Sequence, residues 1–82
     1  MVDMLDYTRK NELLLTDGNV IQSGDIIRID GERKRRFLFL EYVVNNENGA
    51  QWVNTIELMK GNDGPFRSFR PERVRIIGRR RR

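Results

Sequence analysis

The 82 residues carry 16 Lys and Arg against 12 Asp and Glu, a net charge of +4, and include neither histidine nor cysteine. A chain of this length makes one small domain whose core is limited to roughly a dozen side chains. Without imidazole or thiol there are no disulfides, no thiolate metal sites and no histidine general base, so carboxylates, hydroxyls and cations are the reactive groups that remain.

The charge is unevenly placed. Residues 1–32 hold three cations and seven acids, a balance of −4, and residues 33–82 hold thirteen cations and five acids, a balance of +8. Removing Arg79, Arg80, Arg81 and Arg82 alone returns the chain to zero, so the basicity belongs to one loop and one tail.

In chain order, "MVDMLDYTRKNELLL" carries acids where a signal peptide needs cations, and no apolar segment approaches the ~20 residues needed to span a bilayer. A soluble, cytoplasmic protein with no membrane contact is expected. Residues 1–12 lack a sustained helical stripe and read as a flexible or weakly helical lead-in. From Leu13 the punctuation is that of an all-β domain. "LLLTDGNVI" places two short apolar runs around Asp17-Gly18-Asn19, which predicts a short hairpin arm. "QSGDIIRIDGE" gives a strand with Ile27 and Ile29 on one face and Arg28 on the other. The long run Phe37–Val44 follows and ends in the reverse-turn pair Asn48-Gly49. In "AQWVNTIEL", Trp52, Ile56 and Leu58 share one parity and Gln51, Thr55 and Glu57 the other, which predicts a half-buried strand with Trp52 on the core side. "KGNDGP" supplies a turn. Pro71 then divides Phe66–Phe69 from Val74–Ile77, giving two strands joined by a one-turn 3₁₀ helix. Five main strands after the hairpin arm bury a core best by closing into a small barrel, here spanning residues 13–78, with residues 79–82 as a disordered arginine tail.

The strand order, the long second strand, and the pieces "GDIIRI" (Gly24 to Ile29), "NENGAQWV" (Asn46 to Val53) and "FRPERV" (Phe69 to Val74) resemble those of SH3-like small barrels. More narrowly, the chain resembles short barrel proteins encoded by bacteriophages, especially those of actinobacteria, over about Leu13 to Gly78. The resemblance implies a five-stranded SH3-like barrel, and a phage origin would make the location the host cytoplasm. Such barrels bind peptides, modified lysines, RNA, DNA or other proteins, so fold alone selects no function. The acidic, aromatic-rich groove of peptide-binding SH3 domains is not matched, because the aromatics here lie inside strands and the neighbouring loop is basic.

Three basic stretches are candidates for nucleic-acid contact. In "ERKRR", Arg33, Lys34, Arg35 and Arg36 can pair with successive phosphates, or can act as solubilising gatekeepers for the apolar strand that follows. The tail Arg79–Arg82 can contact phosphates without specificity. In "RSFRPERVR", Arg67 and Arg70 alternate with Phe66 and Phe69; exposed rings there could stack on bases, but a barrel this small is expected to bury both. Leu38 and Leu40, on the second parity of an over-apolar strand, and Tyr42 are candidates for protein contact.

Catalysis is not expected, since no nucleophile has a base beside it and no glycine motif cradles a phosphate. Asp25, Asp30 and Glu32 do not make a convincing cation site, so neither metal nor cofactor is expected. These readings point to a non-enzymatic barrel, monomeric or a small homo-oligomer, that binds nucleic acid electrostatically. The alternatives are a module docking on a host or virion protein and a structural subunit of a phage assembly.

Overall fold

The structure is a computed structural model that describes residues 6–76, apart from the side chains of Asn62 and Ile76. It is all-β. The strands are β1 (Tyr7–Lys10), β2 (Glu12–Leu14), β3 (Val20–Gln22), β4 (Ile26–Ile29), β5 (Arg36–Asn45), β6 (Gln51–Met59) and β7 (Asn62–Phe69), then β8 (Val74–Ile76) after the 3₁₀ turn Pro71–Arg73. The main sheet runs β7-β6-β5-β4-β8 with β1 also on β5, and β2-β3 form a separate two-stranded sheet. Its neighbours are all antiparallel.

Among the described residues there are eight strands instead of the expected five and hairpin arm, and the sheets are open rather than closed into a barrel, with β7 and β8 at the two ends of the main path. The edge of β7 carries Pro65, which has no N–H to donate, beside a register shift, and both features oppose further pairing. Residues 7–10 are a strand rather than a lead-in. The four-residue β4 leaves the far half of the ten-residue β5 without a partner on that edge, and β1 fills the gap with Thr8 opposite Val44 and Lys10 opposite Tyr42. Residues 79–82, expected as a tail, lie outside the described residues.

The hairpin forms as its turn residues predict. The Asp17 carboxylate accepts the Asn19 backbone N–H at 2.9 Å, which holds the Asp17 carboxyl below the ordinary carboxylate range, and Gly18 takes a φ of 93° that a side chain would resist. The arm then lays Leu13 and Ile21 onto the core of the main sheet, beside Ile27, Ile29, Phe37, Phe39, Val53, Phe69 and Val74. Leu15 and Tyr42 pack against this cluster.

Register decides which face each side chain takes. On β6 the core side carries Val53, Thr55 and Glu57, all buried, whereas Trp52, Ile56 and Leu58 are half-buried on the opposite side. The expectation for Trp52 is thus inverted. An extra residue in β5, Leu40, breaks the pairing between Phe39–Thr55 and Glu41–Asn54, so Phe37, Phe39 and Tyr42 can all face the core. Trp52 instead makes a smaller cluster on the outer face: it sits opposite the fully buried Val43 and meets the Tyr7 ring edge-on at 5.8 Å. Outward polar atoms are also paired. Asn54 donates to Glu41 at 2.7 Å and accepts from Ser68 at 2.6 Å, and Arg9 reaches the same Glu41 carboxylate at 2.8 Å.

Candidate nucleic-acid interface

The loop between β4 and β5 holds the four consecutive cations, and the structure gives them different tasks. Arg35 pairs with Glu57 and lies 3.7 Å from Glu32. Arg67, on the core side of β7, pairs with Glu57 at 3.0 Å and with Glu32 at 3.3 Å. Two guanidiniums and two carboxylates thus close a ring of ion pairs at one side of the core. Arg67 also lies over the rings of Phe37 and Phe69, 5.9 and 5.1 Å from their centroids, and so covers apolar surface as well as carrying charge. Both cations of this ring are neutralised by carboxylates of the chain itself, which leaves little field for a phosphate.

Arg33, Lys34 and Arg36 are different. They are exposed, and among the described residues no carboxylate lies within ion-pair distance of them. Arg28 joins them from β4, its guanidinium donating to the Arg33 carbonyl at 3.4 Å and meeting no carboxylate among the described residues. Ile26 pairs with Leu38 and Ile27 with Phe37, where the β4–β5 pairing ends one position short of Arg28 and Arg36, while Arg75 of β8 lies opposite Arg28 on the other side. Arg75 and Arg28 are thus cross-strand partners, with Arg36 at the neighbouring end of β5 on the same outer face. Among the described residues only Arg75 of the three has a counter-charge, Asp30 at 2.8 Å. Like charges placed directly across a sheet are destabilising, so this grouping gains from an anion supplied from outside.

Arg70 sits apart, exposed beside the 3₁₀ turn and 3.9 Å from Glu72. The structure thus brings together Arg33, Lys34 and Arg36, withdraws Arg35 and Arg67 into the ring, and leaves Arg70 on its own. Arg28 was legible only as an outward residue of an alternating strand; nothing in the sequence marks it as the partner of Arg75 until the register is known.

Beside the arginine group runs an apolar row. Ile26, Leu38, Ile56 and Phe66 are consecutive cross-strand partners on β4, β5, β6 and β7, all on the outer face. The first three are half-buried, whereas Phe66 is 60% exposed, against the expectation that it belongs to the core; Phe69, three residues on, is at 6%. Pairing explains the split, for Phe69 lies opposite inward Val53 and Phe66 opposite outward Ile56. Of the protein-contact candidates, Leu38 lies in this row, Leu40 is the half-buried extra residue of β5, and Tyr42 packs on the core with its hydroxyl donating to Gln51 at 2.8 Å.

A groove of about 530 Å³ opens elsewhere, between the hairpin tip, Tyr42 and the 3₁₀ turn. The charges that line it are Asp17, Glu72 and Arg75, a balance unsuited to phosphate. Among the described residues no group of three or more potential metal ligands occurs, and no helix is long and apolar enough to cross a membrane.

No curated protein and no solved structure matches the chain. One family model does, over residues 7–82, which reaches back to the first residue of β1 and takes in the whole ring, the arginine group and the apolar row. By that match the chain belongs to the family described as a domain of unknown function, DUF7246.

Proposed function

We propose that this protein is a small non-enzymatic SH3-like domain of the phage-encoded kind that binds nucleic acid electrostatically through Arg28, Arg33, Lys34 and Arg36. The grouping of Arg75, Arg28 and Arg36 on one face, two of which meet no carboxylate among the described residues, carries the reading. The SH3-like part is supported by the long strand β5, by the 3₁₀ turn before β8 and by the pairing of β8 back onto β4. The phage association comes from the sequence resemblance. Among the described residues no helix is offered to a major groove, so contacts run to phosphates and tolerate any sequence.

Anisotropy titrations of labelled oligonucleotides test this. Four phosphate contacts on a single strand imply a loss of roughly fifty-fold in affinity between 50 and 200 mM salt. The binding should persist in a chain ending at Gly78 and fall when Arg28, Arg33, Lys34 and Arg36 are changed to serine, with Arg35 kept so that the ion ring stays intact. Absence of binding, or binding lost entirely with the tail, would remove the role from the folded body.

A further inference from the structure

Phe66 is one of four large apolar residues exposed among those described, with Leu14, Val20 and Met59, and the one aromatic ring of the four. Phe37, Phe39 and Phe69 are 0%, 0% and 6% exposed, yet Phe66, in a chain that can spare no large apolar group, is 60% exposed. It is not stranded at random. The ring ends a row of apolar partners, Ile26, Leu38 and Ile56, on the same outer face as the arginine group. Successive outward residues on a strand are about 7 Å apart, so Arg28 and Arg36 lie beside the apolar row at that separation. Arg36 borders the apolar row directly, being two residues from Leu38 on β5 and opposite Leu58 of β6.

We infer that this outer face binds single-stranded nucleic acid, with a base stacked on Phe66 along the apolar row and the adjoining phosphates held by Arg36 and Arg28. The inference rests on the nucleic-acid reading above and narrows it to one strand form and one face. A ring with an open face offers any base a stacking partner, and stacking is indifferent to sequence. A duplex keeps the faces of its bases inside the stack, so it can use the arginines and not the ring. Charge complementarity selects this occupant over an apolar protein surface. Burying the row beneath a protein would also desolvate Arg28 and Arg36, which meet no carboxylate among the described residues, whereas a phosphate strand supplies a counter-charge. Asp63, which pairs with Leu58, bounds the arginine group on the β7 side and limits the basic stretch to the β4–β5 side.

The test compares the full chain with Phe66→Ala, Phe66→Tyr and the double variant Arg28→Ser/Arg36→Ser. The probes are a labelled oligothymidine strand and a duplex of equal length, each at two salt concentrations. Phe66→Ala should lower single-strand affinity by roughly 5- to 100-fold, leave duplex affinity and salt slope unchanged, and be rescued by Phe66→Tyr. The double arginine variant should weaken both probes and flatten the salt slope by about two phosphate contacts. If strand and duplex bind alike and Phe66→Ala changes neither, the stacking inference is wrong while the electrostatic reading stands. If neither probe binds, both fail. If Phe66→Ala instead abolishes self-association in sedimentation while oligonucleotide binding is unaffected, the row is a protein contact and the inference is overturned.

Discussion

Glu57 is a carboxylate with 4% exposure in a domain that has few core positions to give. Burying such a charge alone costs several kcal/mol, and it is tolerated here because its two oxygens each take a guanidinium, Arg35 on one and Arg67 on the other. The two arginines are not equivalent. Arg35 remains half exposed, whereas Arg67 also bridges to Glu32 and covers Phe37 and Phe69. Arg67→Ala should therefore destabilise the fold by about 2–4 kcal/mol and Arg35→Ala by about 1 kcal/mol, the smaller value reflecting solvent screening. Urea unfolding followed by tryptophan fluorescence measures both. Unchanged stability in Arg67→Ala, together with weaker oligonucleotide binding, would make it a phosphate contact as its place in "RSFRPERVR" implies.

At the scale of the strand, the β6–β7 pairing sets which way Phe66 points. Ile56 pairs with Phe66 and Leu58 with Asp63, so one residue of β6, Glu57, stands against two of β7, Gly64 and Pro65. The bulge lets Glu57 face inward to Arg67 while Phe66 faces outward. It depends on a glycine, since a Cβ at residue 64 would come within 2.8 Å of the Glu57 carbonyl oxygen. Gly64→Ala should cost about 1–3 kcal/mol, seen as a lower urea midpoint with an unchanged slope. A wild-type midpoint would mean that the strands re-space without strain. The strand β1 plays a similar local part, closing the free edge of β5 and covering Val43 and Trp52 on the outer face.

Across the molecule, two sheets share one core. Leu13 and Ile21 of the hairpin belong to the same cluster as Phe37, Phe39 and Phe69 of the main sheet. The hairpin therefore should not melt by itself. Ile21→Ala is expected to lower global stability by about 2–4 kcal/mol, with tryptophan fluorescence and far-ultraviolet circular dichroism falling together in one transition. Separated transitions would mean that the arm is an independent unit. The same scale governs charge. Because the chain without its four terminal arginines is neutral, attraction to a polyanion has to come from how cations are grouped rather than from their number.

Much of the architecture is legible in the residues themselves. Alternation marks β4, Asp17-Gly18 and Asn48-Gly49 mark reverse turns, and Pro71 divides the last two strands, because each of these depends on neighbours within a few positions. Strand β1 was missed because its partner lies some 35 residues away and its own pattern is too short to announce a strand. The direction of Trp52 and Phe66 and the fate of the arginines also needed the tertiary structure. A single extra residue at Leu40, or at Gly64-Pro65, exchanges inside for outside along the rest of a strand. The order of residues along the chain by itself determined that this is a small all-β protein with its positive charge concentrated locally. Register alone decided that Arg35 and Arg67 close an ion ring, and that Arg28 meets Arg75 on the same outer face as Arg36 and an exposed Phe66, because which side chains meet across a sheet depends on pairings between distant segments.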